Sequence, residues 1–332
     1  MTSKSLYLPT ILFALVAAGC GSSGSGGGTS TPDTVQFTSI ADAELVPGEE
    51  LVLPAVSLES TYDAENGLIF SEASGAATGA SFSYLGGEDP DGEPAKFTVT
   101  SAEGTVIEFK PSDEPGVFMA RIVETGVDTG YSDGSPFMLD FTDPEASETI
   151  DILLGSDFDV TGWDYQQFGV WVTGFGEDAS GTVGAASGGA FTAGTDIPQT
   201  GSATFTGVST GVYAAPDGAG FITASNMTAV ASFANRSVNF STTDTRVAPA
   251  DTIGNIIGNT RYSFAANNGL DLNGTMNYAA GSNNLRGEVA AENGMTGSVN
   301  GNFYGPSANE IGGTFAVDGD QGSYIGGFGG KR

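Results

Sequence analysis

The chain has 332 residues, and with 51 glycines and only 15% charged residues its composition suits a turn-rich β protein better than a helical one. Its net charge of −30 argues against nucleic acid and anionic lipid surfaces as partners, because both need a basic patch. The length allows two ordinary domains, and a single cysteine excludes an internal disulfide.

The first 34 residues predict an export signal, a lipid anchor and a tether. Lys4 precedes an apolar run at 6–16, and small residues at 17–19 stand directly before Cys20. This pattern resembles a lipobox, so we expect 1–19 to be a lipoprotein signal peptide and Cys20 to be the lipid attachment site. The alternative is ordinary cleavage beside a chance cysteine. Gly21 replaces the acidic residue that favours inner-membrane retention, which favours the outer membrane, and residues 20–34 form a flexible Gly/Ser tether.

Residues 35–195 predict a β-rich domain of short strands between turns. The strand patterns lie at 51–53, 80–84, 96–100, 106–109, 117–121, 138–141, 150–154 and 163–175. In the predicted strand 163–175, alternation places both tryptophans, Trp163 and Trp171, on one side and Phe168 on the other. The strand is therefore apolar on both faces, and we expect it at the centre of this domain. An exposed aromatic binding stripe is the alternative. The small residues at 181–194 predict the boundary with the next domain.

The negative charge is concentrated in this first domain. Residues 20–198 carry 31 acidic and three basic residues, a net charge of −28, whereas 199–332 carry −3. The acidity favours a solvated surface, and the alternative is an acidic face for a cationic partner. The candidate ligand-binding residues are Asp89, Asp91 and Glu93, which lie in one predicted loop. A helical calcium loop is excluded there, because Pro94 and Thr100 occupy positions that require Gly and Glu.

Residues 196–332 predict an eight-stranded antiparallel β-barrel, so the expected fold class is all-β. Strand patterns occur at 202–214, 220–227, 228–233, 237–242, 260–265, 274–279, 284–290, 296–304, 312–317 and 324–328. Glycines recur inside the last three strands, where they permit the sharp coiling of a small closed barrel. Pro306 fits the first position of a helical turn between two of these strands.

Enzymatic chemistry finds little support in the residues. Residues 207–211 match the Gly-x-Ser-x-Gly pattern of hydrolases, but the chain has no histidine to accept the serine proton, and the pattern lies in a predicted strand. We therefore expect no catalytic residue, no metal site and no cofactor. Missing imidazole weakens the case for haem binding, although tyrosine or methionine could still hold haem.

Three segments resemble one family of bacterial surface lipoproteins. Residues 301–315, with the sequence Gly-Asn-Phe-Tyr-Gly-Pro-Ser-Ala-Asn-Glu-Ile-Gly-Gly-Thr-Phe, resemble the barrel signature of the transferrin-binding protein B family. The opening at 197–207 and the ending at 326–332 are similar to the two ends of that barrel. The signature positions, expected to be structural, are Phe303, Tyr304, Gly305, Pro306, Glu310, Gly312 and Gly313.

The resemblance implies a handle-like first domain followed by the barrel, on a lipid-anchored, surface-exposed protein of the outer membrane. It implies capture of an iron-carrying protein, haem or a related solute for an outer-membrane receptor. Full transferrin binders have two lobes, each with a handle and a barrel, whereas this chain has room for one. The alternative function is that of a structural or adhesive surface-coat lipoprotein with no role in uptake.

Overall fold

The computed structural model describes residues 50–63, 67–69, 77–85, 96–102, 104, 106–111, 117–122, 137–139, 163–172, 180–249 and 265–332. In these ranges the regular elements are β-strands, apart from one turn of 3-10 helix at Asn268–Leu270. The all-β prediction is confirmed. None of the described residues belongs to a helix that could cross a membrane.

The first sheet contains nine antiparallel strands. They are β1 (Glu50–Asp63), β2 (Gly67–Ile69), β3 (Ala77–Leu85), β4 (Lys96–Thr100), β5 (Val106–Pro111), β6 (Val117–Ile122), β7 (Phe137–Leu139), β8 (Gln166–Val172) and β9 (Ser180–Gly189). Each strand from β3 onward pairs with the next, and β1 pairs with β2, β3 and β9. The sheet therefore curls until its first and last long strands meet.

The second sheet is the predicted barrel. Its strands are β10 (Ser202–Ala214), β11 (Gly220–Ser232), β12 (Ser237–Pro249), β13 (Ala265–Ala266), β14 (Leu272–Asn277), β15 (Leu285–Ala291), β16 (Thr296–Tyr304), β17 (Glu310–Gly319) and β18 (Gly322–Lys331). Pairing of β10 with β18 and of β11 with β12 closes the ring, with β13 as a short addition to β12. Eight strands complete the closed barrel, as predicted.

Alternation along the strands separates the barrel interior from its outside. In β15, Leu285 and Val289 point into the core while Arg286 and Glu288 are exposed. A strand with one solvated face is expected to alternate in this way. By contrast, β17 and β18 are buried on both faces, because the first sheet covers their outer side.

Two local predictions from the sequence were wrong, and one strand was missed. The segments 220–227 and 228–233 form one strand, β11, rather than two. The missed strand is β9, which takes up residues 181–189 of the segment interpreted as the domain boundary; its glycines leave room for neighbouring rings, and a Cβ at Gly188 would lie 2.7 Å from a ring atom of Phe82. Pro306 stands in a turn whose neighbours Ser307 and Ala308 have φ of 59° and 60°, which excludes a right-handed helical turn. The strands predicted at 150–154 and over most of 260–265 lie outside the described residues.

The side chains of segment 163–172 pack both within the first sheet and against the barrel, rather than only at the centre of the first domain. Trp171 packs with Phe82 and Ile107 in the core of the first sheet, whereas Trp163 and Phe168 face the barrel. Burial of both tryptophans is confirmed, but their side chains lie on different sides. Trp163 precedes β8, so the alternation of the strand does not determine its direction.

Side chains of the first sheet contact the barrel at three outward-facing glycines, Gly312, Gly327 and Gly329, which we call the glycine face. A Cβ at Gly329 would lie 2.5 Å from a ring atom of Trp163, and one at Gly327 would lie 2.7 Å from a ring atom of Phe168. Any larger residue at these positions would push the first sheet away from the barrel.

We predict that Gly327→Ala destabilises the protein by about 1–3 kcal/mol, because the added methyl group overpacks the contact with Phe168. Phe168→Leu in the same chain should recover part of this loss, which a double-mutant cycle by chemical denaturation would measure. Ala290→Val, on an exposed position of β15, is the matched control and should change stability by less than about 0.5 kcal/mol. Equal stability of Gly327→Ala and the control would contradict the packing role.

Candidate functional site

The signature residues lie where the barrel meets the first sheet. Phe303 and Tyr304 end β16, Gly305 and Pro306 form the turn, and Glu310 begins β17. Phe303 points into the barrel core, whereas the Tyr304 hydroxyl lies 2.8 Å from the Ser187 hydroxyl of β9. Burial raises the pKa of Tyr304, which keeps this hydroxyl neutral. The signature therefore joins the two sheets.

The remaining signature glycines have different neighbours. Gly305 has a φ of 74°, in the left-handed region, and a Cβ there would collide with the ring of Tyr165. Gly312 belongs to the glycine face, against the Gln166 side chain. Gly313 points inward, where a Cβ would lie 2.8 Å from a ring atom of Phe328. Close approach explains these glycines better than sheet coiling alone.

Glu310 is a carboxylate buried at this junction, with only 3% of its surface exposed. Its Oε1 accepts a hydrogen bond from the Asp164 N–H at 2.7 Å, and its Oε2 accepts one from the Tyr165 N–H at 3.1 Å. Burial raises the pKa of Glu310 to about 7, although these backbone hydrogen bonds act in the opposite direction. Desolvation therefore outweighs the two donated hydrogen bonds.

Further polar contacts at the junction come from residues that the sequence did not single out. The Gln166 side-chain amide donates to the Ile311 carbonyl at 2.7 Å. The Thr192 hydroxyl donates to the Gly305 carbonyl at 2.6 Å, and Asn283 donates to the carbonyls of Thr192 and Phe303, each at 2.8 Å. Their partners lie up to 145 residues away in sequence, so no local pattern could have identified them.

We predict that Glu310 makes folding stability depend on pH between about 4.5 and 7. Its pKa is higher in the folded chain than its model value of 4.5, so protonation favours folding, and this contribution is lost as the pH rises from about 4.5 to 7. Glu310→Gln cannot ionise, so its stability relative to the parent should improve by up to about 3 kcal/mol between pH 4 and pH 8. Chemical denaturation across this pH range would measure the difference.

Glu288→Gln, at an exposed strand position, is the matched control for replacing a carboxylate by an amide. If the free energy of unfolding changes with pH in the same way for Glu310→Gln and its parent, the Glu310 carboxylate does not cause the pH dependence.

Two groups of candidate residues from the sequence lie outside the described residues. Cys20, the expected lipid attachment site, is in the segment before residue 50. Asp89, Asp91 and Glu93, the candidate ligand-binding residues, fall between β3 and β4. Both assignments remain predictions.

The barrel matches a known protein family. Residues 197–332 match the family model described as the C-lobe and N-lobe beta barrels of Tf-binding protein B. The C-terminal barrel is similar to the barrels of the transferrin-binding protein B family. This match agrees with the eight-stranded closure and with the signature at 301–315. A search of the curated proteins gave no match.

Solved structures similar to this chain include transferrin-binding protein B structures. A mutant from Haemophilus parasuis Hp5 is 12% identical, with 86% of this chain and 77% of that chain covered at a TM-score of 0.36. The isotype 1 protein from serogroup B Neisseria meningitidis is 13% identical, with coverages of 86% and 77% and a TM-score of 0.35. The N-lobe of lactoferrin binding protein B from Moraxella bovis is 13% identical, with coverages of 59% and 90% and a TM-score of 0.30. At these scores the assignment rests on the family model.

The two ends of the barrel differ in charge. The end formed by the loops 215–219, 292–295 and 320–321 has five exposed acidic residues among those described: Asp217, Asp244, Glu292, Asp318 and Asp320. The other end, formed by the turns 233–236, 278–284 and 305–309, has three exposed arginines, Arg236, Arg286 and Arg332, with Asp164 and Asp196 exposed beside them. The direction of the strands accounts for both groups of charges. Because consecutive strands are antiparallel, alternate loops lie at the same end of the barrel.

Proposed function

We propose that the protein is an outer-membrane surface lipoprotein that binds a ligand and presents it to an outer-membrane receptor. The match of residues 197–332 to the transferrin-binding protein B barrels carries the proposal. An iron-carrying protein, haem or a related solute is the ligand class that this family suggests. The lipobox-like sequence before Cys20 supports the membrane anchor, and the Gly/Ser tether supports display at a distance from the lipid.

Partner contacts are assigned to the loops rather than to the strands. The barrel strands are committed to ring closure and to packing against the first sheet, which leaves exposed loops such as 215–219 available for recognition. The acidic first domain supplies a second surface, and a protein partner with a basic face would be attracted to it.

Direct binding tests the function. The soluble form, residues 21–332, would be immobilised and exposed to iron-loaded and iron-free transferrin, iron-loaded and iron-free lactoferrin, and haemin. Saturable binding of one of these, with a preference between the iron-loaded and iron-free forms, is the expected result. If none binds, the proposal fails, and a structural or adhesive surface-coat function becomes the better explanation.

We predict that Cys20→Ala abolishes anchoring, because the thiol is the group that would be acylated. The variant should accumulate as an unprocessed precursor that no longer fractionates with outer membranes, as judged by gradient centrifugation and mass spectrometry of the N-terminus. Ser23→Ala, in the tether, is the control. Normal processing and location of Cys20→Ala would refute the lipoprotein assignment.

We predict that neutralising the acidic loop slows association with a cationic partner. In the triple variant Asp89→Asn, Asp91→Asn, Glu93→Gln, the association rate should fall at low salt, while the melting temperature stays nearly constant. The difference should shrink as the Debye length falls from about 30 Å at 0.01 M salt to about 8 Å at physiological ionic strength. If the association rates do not depend on salt, the acidic residues act only to keep the surface solvated.

A further inference from the structure

The strands β16 and β17 turn a small group of residues away from the barrel core and toward the first sheet. The inward residues of both strands belong to the core, so the residues between them point outward. On β16 these include Asn300 and Asn302, and on β17 they include Gly312 and Thr314. The register pairs Asn300 with Thr314 and Asn302 with Gly312. The four positions therefore form one cell of the sheet, about 5 Å across the strands and about 7 Å along them, which we call the polar cell.

The side chain of Gln166, from β8 of the first sheet, occupies the corner of the polar cell that Gly312 leaves open. A Cβ at Gly312 would collide with Gln166 Oε1 and would lie 2.7 Å from the Ser187 hydroxyl oxygen. The Gln166 amide is held in this position by its Nε2, which donates to the Ile311 carbonyl at 2.7 Å. Gln166 Oε1 therefore lies directly over β17, at one corner of the cell.

Each of the four side chains around the polar cell has one buried polar atom without a hydrogen-bond partner among the described residues. These atoms are Gln166 Oε1, Asn300 Nδ2, Asn302 Oδ1 and Thr314 Oγ1. None of the four residues is more than 6% exposed. The Asn302 amide cannot reverse, because its Nδ2 donates to the Asn283 carbonyl. Since buried polar atoms in folded proteins nearly always have a partner, four such atoms around one cell indicate a bound polar molecule.

The hydrogen-bonding character of the four atoms matches that of a water molecule. Gln166 Oε1 and Asn302 Oδ1 are acceptors, Asn300 Nδ2 is a donor, and the Thr314 hydroxyl can be either. A water molecule donates two hydrogen bonds and accepts two, so one molecule can satisfy all four atoms. A metal ion fits less well, because the Asn300 amide presents hydrogens. The carboxylate of Glu310, on the same face of β17, is already bonded to two backbone N–H groups.

We propose that the polar cell binds one ordered water molecule, which links β8 of the first sheet to β16 and β17 of the barrel. The water donates to the two amide oxygens of the cell, and it accepts from the Asn300 amide and the Thr314 hydroxyl. Because the surrounding side chains are buried, the molecule is a lasting part of the junction rather than exchanging surface solvent. The site is separate from the loops to which ligand binding is assigned, and it adds a polar link between the sheets beside the glycine face.

The test compares the soluble form, residues 21–332, with the double variant Asn300→Leu, Thr314→Val. These replacements keep the side chains similar in size and remove both donors to the water. Magnetic relaxation dispersion of the solvent oxygen nuclei detects water molecules that stay inside the protein, and exchange of hydroxyl protons does not affect it. The parent should show about one more long-lived water molecule than the double variant. Thr296→Val, at an exposed position of β16, is the matched control and should give the dispersion of the parent.

Chemical denaturation of the single variants provides a second measurement, and these variants also serve for the dispersion if the double variant does not fold. With a bound water, Asn300→Leu or Thr314→Val removes one of its partners, so the denaturation midpoint should fall below that of Thr296→Val. In a dry cell, either replacement removes a buried polar atom that had no partner, so the midpoint would stay the same or rise. Equal dispersion in the parent and the double variant would overturn the proposal, as would midpoints that do not fall in either single variant.

Discussion

Trp163, Gln166 and Phe168 meet the barrel at positions where β17 and β18 carry glycine, so the first sheet packs against backbone rather than against side chains. This close approach buries large rings while keeping the polar backbone of the barrel strands paired within their own sheet. It also explains why these two strands, apart from charged residues near their ends, are apolar or small on both faces, unlike β14 and β15. The position of the first sheet on the barrel follows from this contact.

The polar groups at the junction define its register. A packed apolar contact alone would tolerate sliding, whereas the Glu310 carboxylate needs the two amide groups of residues 164 and 165 opposite it. The hydrogen bond from Gln166 to Ile311 and the one between Tyr304 and Ser187 add two further fixed points. A buried carboxylate without these amides would be costly, so a shifted arrangement of the two sheets is disfavoured.

Much of the barrel could be predicted from the sequence, because alternation and glycine placement are local signals. The strand at Thr296–Tyr304 was predicted with the bounds that the structure has, and Gly312 and Gly313 were identified as structural. The side chains that these glycines contact could not be predicted, because they lie on other strands: Gly312 contacts Gln166, and Gly313 contacts Phe328. The direction of Trp163 was missed for a related reason: it lies outside the strand whose alternation was used to place it. Strand β9 was missed because its small residues resemble a linker unless the rings that they accommodate are known.

The two ends of the barrel show how one rigid scaffold can present two unlike surfaces. Each antiparallel hairpin sends successive loops to opposite ends, so a bias in the composition of alternate loops becomes a separation of charge along the barrel axis. Acidic side chains at one end and arginines at the other make the barrel a dipole, although its residues 199–332 sum to only −3. A field of this kind orients the molecule relative to a charged partner before contact occurs. Net charge alone therefore does not predict which partners the barrel would attract, because each partner would experience mainly the end that it approaches.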